Sequence, residues 1–404
     1  MGRDMTSEGP LAGMKVIELA HIMAGPVCGL MLADMGADVI KVEKPDGDDS
    51  RRFVPPAIHG ESAAYMMMNR NKRGVALNLK DAQAVKVLHR LLKEADVVIE
   101  NYRMGTMERL GLGYDDLRAL NPRLIYCEIS GFGRTGPYAQ RGGFDLIAQG
   151  MSGLMSITGE GPGRPPVKTG APVSDITAGI VAAMGVSAAY ARMLQTGEGQ
   201  KVDTSLFEAA ITQTYWQSAI AFATGVAPGP MGSAHPLNGP YQAFETADGW
   251  INVGAANQRN WLRFLDVIGA PELNDDPRFA SNHDRMQHLK ELEEILNGYL
   301  RHETSAVWLD RMERAGLPAG PVLDILEMQA DPQARAREMI VEMDHPVAGR
   351  VKTLGHPVKF SETPASLRRA APVLGQHSRE VLHEAGYDAA QIEAMVTSGA
   401  VITA

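Results

Sequence analysis

Residues 13–51, GMKVIELAHIMAGPVCGLMLADMGADVIKVEKPDGDDSR, constrain the fold more than any other stretch of the chain. Lys15–Leu19 and Val39–Val42 are apolar β-runs. Between them Ala24–Met35 reads as a helix entered at Gly25-Pro26, where proline is preset for a first turn. A strand, a helix and a second strand in this order form the unit that builds parallel sheets. The turn after such a first strand carries G-x-G-x-x-G when it cradles a dinucleotide, and here it reads His21-Ile-Met-Ala-Gly-Pro26. The nicotinamide-type fingerprint is absent, so a different ligand is expected on this kind of sheet.

The alternation continues. β-Runs follow at Val97–Glu100, Leu124–Ser130 and Lys201–Asp203, with helical patterns at Ala82–Glu94 and around Asp115–Leu120. A long helix runs from about Asp175 to the stop signal Thr196-Gly-Glu-Gly199, and another spans Leu206–Phe222. This pattern predicts a Rossmann-like α/β domain with a mainly parallel sheet. At 404 residues the chain exceeds one ordinary core, so two domains are expected. Gly225–Gly239 reads as the linker into a smaller α+β domain with a strand at Trp250–Gly254 and helices at Asn260–Ile268, Met286–Arg301 and Ala306–Ala315. Asp344–Phe360 reads as a second linker, after which the helix Ser378–Ala385 and the tail return to the first domain. The expected boundaries are 1–224, 225–345 and 346–404.

Composition narrows the class. A net charge of −9 argues against nonspecific nucleic-acid binding, so an anionic ligand needs a locally basic pocket. Ile176–Leu194 is nearly uncharged, but its Ala, Gly and Ser content marks a core helix rather than a membrane span. The N-terminal MGRDMTSEGP lacks the apolar region of a secretory signal, and a cytoplasmic protein is expected. Cys28 and Cys127 fall in apolar elements and read as buried free thiols.

Few residues declare their chemistry alone. Asp175 stands where a turn enters an apolar helix, and is either a helix cap or a carboxylate nucleophile beside backbone donors. Lys41, Lys44, Arg51, Arg52, Arg70, Lys72, Arg73, Lys80, Arg103 and Arg109 crowd the first 110 residues at or after predicted strand ends. They read as phosphate contacts or as a solvated face. No H-E-x-x-H spacing points to a metal, and no G-x-S-x-G elbow points to a serine hydrolase. The residues by themselves lead to an α/β enzyme for an anionic, nucleotide-like ligand.

The segments KVIELAHIMAGP, LADMGADVIKVE, NRNKRGVALNLK, ADVVIENYRMGTMERLGLGY, NPRLIYCEISGFGRTGP and GAPVSDITAG occur in this order, followed by GLPAGPV, HPVAGRV and LGQHSREVL. Together they resemble the class III CoA-transferases (CaiB/BaiF type), a family with α-methylacyl-CoA racemases as a side branch. The resemblance implies that Asp175 is the catalytic aspartate. It places coenzyme A contacts on Ile22, Met23 and Ala24 through their backbone, and on Lys44, Leu77, Lys80, Asn101, Tyr102 and Arg109. Lys44 stands where some members carry arginine and offers a point charge rather than a fork. Ser130 and Phe132 replace a Lys and a Tyr of the formyl-CoA enzyme.

The implied reaction proceeds through an aspartyl–acyl anhydride and an aspartyl-CoA thioester, with acyl-CoA as substrate and no metal or permanently bound cofactor. Water must be excluded, and Gly225–Gly239 or Gly159–Pro166 are candidate shields. Racemases carry histidine where Phe144 stands, and a family glutamate falls on Asn257, so two-face proton transfer lacks its second group. A binding protein without catalysis is the other alternative, disfavoured by an intact Asp175. GSAHPLNGPYQAF and SGFGRTGPYAQRGGFD look most like the branch using succinyl-CoA and short dicarboxylates such as glutarate, itaconate or citramalate. Oxalate, formate and carnitine-like acceptors stay open. Arg134, Arg141 and His235 are candidates for the acceptor's far carboxylate. The resemblance also implies an interlocked homodimer.

Overall fold

Apolar side chains alternate between the two faces of each central strand in the computed structural model, which describes residues 9–404. Val16, Val97, Ile99, Ile125 and Cys127 enter one core, while Ile17, Val98 and Tyr126 enter the other. A strand buried on both faces belongs in the middle of a helix-covered sheet. The strands are β1 (Lys15–Glu18), β2 (Asp38–Glu43), β3 (Lys72–Leu77), β4 (Val97–Glu100), β5 (Ile125–Ser130), β6 (Lys201–Ser205) and β7 (Val401–Ile402). Their order is β7-β3-β2-β1-β4-β5-β6, parallel except for the edge strand β7. Connections therefore diverge between β1 and β4. In open sheets of this kind the crevice beyond the carboxyl ends at that divergence is where ligands enter.

The first face is covered by α1 (Ala24–Asp34), α2 (Val173–Thr196) and α3 (Leu206–Thr212). The α2 helix has a membrane-spanning length and apolarity, yet Ala178, Ala182, Ala183, Val186, Ala189 and Met193 lie in the first core. Small residues permit close approach: a Cβ at Gly179 would fall 2.6 Å from the Ala24 carbonyl oxygen. Cys28 and Cys127 are buried and free in the same core. The second face is covered by the helix Ala82–Lys93 and by chain-terminal segments that supply Val381, Leu382, Ile392, Met395 and Val401. The tail pairs with the sheet through Val401 and Ile402.

The described chain forms two compact units. One contains the chain up to Ser152, Thr169–Gln213 and Pro332–Ala404, and the other contains Gly153–Lys168 and Thr214–Asp331. The second unit has a three-stranded antiparallel sheet, with Trp250–Gly254 between Tyr241–Glu245 and Ala319–Pro321. Its core includes Phe244, Trp261, Phe264, Leu296 and Trp308.

Several sequence expectations need correction. The helix expected over 206–222 breaks at Gln213-Thr214, where the first unit gives way to the second, so the unit edge precedes the Gly/Pro run by about ten residues. Gly225–Gly239 lies inside the second unit, tied by Gly232 N–H to the Gly159 carbonyl (2.8 Å) and His235 N–H to that of Tyr241 (3.0 Å). The helix expected over 286–301 is interrupted at His288. Asp344–Phe360, read as a linker, contains much of a β-hairpin, Ile340–His345 with Gly349–Leu354. Prolines and glycines mark turns, but a tight hairpin turn and a linker look alike in composition.

Candidate active site

The turn from β1 into α1 replaces the usual glycine loop, and side chains from other elements hold it. Lys41 Nζ donates to the Ala20 carbonyl (2.9 Å), and Ile22 N–H donates to Asp48 Oδ1 (3.1 Å). Asn101, just after β4, accepts from His21 N–H (2.9 Å) and donates to the His21 carbonyl (2.8 Å). Ile22 has a φ of +67°, a left-handed conformation that costs a β-branched residue about 1–2 kcal/mol. Beneath the turn lies a buried chain of charges. Lys41 Nζ meets Glu18 Oε1 (3.0 Å) and Asp48 Oδ2 (2.8 Å), and Lys72 Nζ meets Glu18 Oε2 (2.8 Å). Burial opposes the charge on Lys41, but Glu18 and Asp48 outweigh it and hold the ammonium above its ordinary range. Burial likewise opposes the Asp48 charge, and Lys41 outweighs it, holding this carboxyl well below its ordinary range. Lys72 is less compensated, and burial brings it down to about 8.

The turn forms one wall of a cavity of about 490 Å³ at the β1/β4 divergence. Other walls come from residues after β4 (Asn101–Met104, Thr106), at and after the end of β5 (Ser130, Gly131, Arg134) and from 139–144. Gly131 and Gly143 make this closeness possible, because a Cβ on either would lie 2.6 Å from the other's backbone. Tyr102 sits edge-on to His21 at 5.6 Å between ring centroids, and burial pushes its hydroxyl up to about 12.

Asp175 lines the same cavity. The α2 helix begins at Val173 with Pro172 before it, so Asp175 is the third helical residue, and the cap reading is corrected. Among the described residues its carboxylate has no hydrogen-bond or ion-pair partner. Burial, and secondarily the Asp145 carboxylate, push it up to about 7. Asp145 is held in turn: Oδ1 accepts from Ser174 N–H (2.9 Å) and Oδ2 from Gln149 Nε2 (2.7 Å). Gln149 Oε1 accepts from Thr169 N–H (3.0 Å). Asp145 was legible only as the residue after Phe144, and Gln149 carried no signal.

Of the residues that the resemblance marks for coenzyme A, Ile22, Met23, Ala24, Asn101 and Tyr102 meet in this cavity with Asp175. Lys44, Leu77, Lys80 and Arg109 do not line it. Lys44 Nζ pairs with Asp49 (2.8 Å), itself a lining residue, and Arg109 Nη2 donates to Thr106 Oγ1 (3.0 Å). Leu77 is buried in β3 opposite Val401, and Lys80 lies on an exposed turn. Ser130 lines the cavity, whereas Phe132 packs against Tyr138 and Phe207.

Half of the basic residues named in the first 110, Lys41, Arg51, Arg70, Lys72 and Arg73, are internal. Arg51 pairs with Glu43 (2.7 Å), Arg73 with Asp38 (2.6 Å) and Glu384 (2.7 Å), and Arg70 with Asp34. Neither the phosphate reading nor the solvated-face reading describes these paired residues, whereas Lys44, Arg52, Lys80, Arg103 and Arg109 are exposed. Among the far-carboxylate candidates, Arg134 is bound by Glu100 and lies 3.5 Å from Glu128. Arg141 lines the cavity and among the described residues has no ion pair, its guanidinium 4.0 Å from the Tyr138 ring centre. His235 packs edge-on to Trp216 and Tyr241 within the second unit and does not line the cavity.

Known proteins share this chain's sequence and fold over nearly their whole length. The family model CoA-transferase family III matches residues 11–378. A succinate–glutarate CoA-transferase of Agrobacterium fabrum is 41% identical over 382 residues, covering 93% of this chain and 95% of its own. The human succinyl-CoA:glutarate CoA-transferase is 37% identical over 400 residues, covering 98% and 91%. The crystal structure of a CaiB/BaiF family protein from Brucella suis superposes with a TM-score of 0.84 at 37% identity, over 94% of this chain and 100% of that one. The chain belongs to CoA-transferase family III and is an enzyme of that class, acting on CoA thioesters.

Proposed function

We propose that this enzyme moves CoA from succinyl-CoA to a short dicarboxylic acid, with Asp175 as nucleophile. The observation that carries the reading is an unpaired, half-buried carboxylate in the ligand crevice, with Asp145 as its charged neighbour. An ionised Asp175 is opposed by burial and by Asp145, and acylation removes that charge. The resting state is thereby raised relative to the acylated one.

The steps balance without metal or ATP. An Asp175 oxygen attacks the thioester carbonyl, the C–S bond breaks, and an aspartyl–succinyl anhydride and CoA thiolate form. The thiolate attacks the aspartyl carbonyl, releasing succinate and leaving an aspartyl-CoA thioester. The acceptor carboxylate attacks that thioester to give a second anhydride, and the thiolate then takes the acceptor's acyl group and frees Asp175. Each step exchanges acyl groups of similar energy, and covalent catalysis divides the transfer into feasible parts.

A racemase would need an acid/base on the opposite face of the α-carbon. Phe144, at the position of the racemase histidine, is hydrocarbon with 70% of its surface exposed. Asn257 caps the helix that follows it, accepting from Asn260 N–H (2.9 Å). Arg141 is the cation we assign to the far carboxylate of the acceptor, because Arg134 is already neutralised by Glu100 and Glu128. The reading includes an interlocked homodimer and a cytoplasmic location.

The test is peptide mass spectrometry after incubation with succinyl-CoA and trapping with hydroxylamine. Hydroxamate on Asp175 is expected. An unmodified Asp175 across a panel of acyl-CoAs, with CoA binding confirmed separately, overturns the reading. Asp175→Ala should lower turnover at least about a thousandfold while changing CoA affinity less than about twofold.

A further inference from the structure

We infer that Asp48 is a positioning residue for acyl-CoA binding: its carboxylate holds Ile22 in a left-handed backbone conformation and so sets the Ile22–Ala24 wall of the cavity. The inference rests on the proposed use of that cavity for CoA. Asp48 is almost fully buried and does not line the cavity, so it acts through Ile22 rather than on a ligand.

Asp48 stands between two demands. Its Oδ1 accepts from Ile22 N–H (3.1 Å), Ser50 N–H (2.9 Å) and the Ser50 hydroxyl (2.8 Å). Its Oδ2 meets Lys41 Nζ at 2.8 Å, and its own N–H donates to Glu43 Oε2 (2.9 Å). The carboxylate is thus fixed from behind by Lys41, Ser50 and Glu43 and presents one acceptor to the turn. Isoleucine does not keep a φ of +67° unaided, because its Cβ crowds the backbone there. Glycine reaches this region freely. Lys41 and Asn101 hold the preceding residues, Ala20 and His21, but among the described residues only Asp48 bonds the strained peptide N–H itself.

Without the clamp the correct turn is only fractionally populated, and apparent affinity falls by that fraction. Asp48→Ala should therefore weaken CoA binding about tenfold, with kcat at saturating acyl-CoA changed much less than KM. Ile22→Gly added to Asp48→Ala should recover most of the lost affinity, because glycine needs no clamp. Asp48→Glu keeps a counter-charge for Lys41 but displaces the acceptor from Ile22 N–H, so it serves as the folded variant if burial of an under-compensated Lys41 prevents Asp48→Ala from folding, and Ile22→Gly should then rescue its affinity.

Calorimetric titration of CoA into the purified full-length variants reads all of this. Wild-type binding with an unchanged Kd in the Asp48 variants overturns the clamp alone. A weakened Kd that Ile22→Gly does not rescue also overturns it, leaving Asp48 as a counter-ion for Lys41. No binding to wild type overturns the CoA reading of the cavity and the clamp with it.

Discussion

Asp175 lies where burial and Asp145 both oppose its negative charge, so its carboxyl titrates near pH 7 rather than near the usual 3.8. Between those values the folded chain keeps a proton that the unfolded chain has lost, so folding is progressively penalised as pH rises through the window. The penalty is complete above the folded pKa. Asp175→Asn removes it. Thermal melts should show this variant more stable than wild type at about pH 8, by a few degrees, and equal near pH 3.5, below both pKa values. Equal melting temperatures at about pH 8 would show that the site does not hold the carboxyl out of water. Activity should rise with pH as Asp175 ionises, with a midpoint near 7 in a kcat/KM profile. Asp145→Asn keeps an acceptor for Ser174 N–H while removing the like charge, so the same profile should move to lower pH. At Arg141 the readout is selectivity. Arg141→Met should raise KM for glutarate roughly 10–100-fold and leave a monocarboxylate such as butyrate nearly unchanged. The sequence marked Asp175 as the start of an apolar helix but left its role open. A helix beginning two residues earlier leaves the side chain free of capping duty.

The cavity depends on how closely α1 and α2 approach, since α1 carries the turn at its N-terminus. Gly179 is the point of contact, and a Cβ there would meet the Ala24 carbonyl at 2.6 Å and Val27 Cβ at 2.7 Å. Backbone cannot yield as a flexible side chain does. Gly179→Ala should therefore cost about 1–3 kcal/mol in urea unfolding, despite alanine's better helix propensity. A neutral or stabilising result would mean that the helices shift apart freely. Periodicity located α1, α2 and most central strands, because each is written in consecutive residues. It passed over β3, whose sequence KRGVAL opens with two charges. Those charges are buried because Lys72 meets Glu18 of β1 and Arg73 meets Asp38 of β2. A charged residue argues against a buried strand only until its partner strand is known.

For the molecule as a whole, apolar surface bears on assembly. Phe222 is 87% exposed, Tyr215 74% and Met184 65%, and the helix Tyr215–Thr224 buries none of its residues. Tyr215, Trp216 and Phe222, exposed apolar side chains of this one helix, favour a partner surface, in line with the homodimer we propose. Melting temperature should then fall on dilution, and sedimentation should show no stable folded monomer. A folded monomer at low concentration would contradict the dimer. Local pattern was enough to read the βαβ unit, a sheet covered on both faces, the core placement of α2 and the family, because these features are carried by neighbouring residues or by ordered short segments. The fate of the charges was not readable. Lys41, Lys72 and Arg134 look alike in sequence as free cations awaiting phosphate or carboxylate. Strand register sets Glu18 beside Lys41, and the turns after β4 and β5 bring Arg134 to Glu100. Which cations stay free for a ligand follows from pairings between residues far apart in the chain, and those exist only once the strands have aligned.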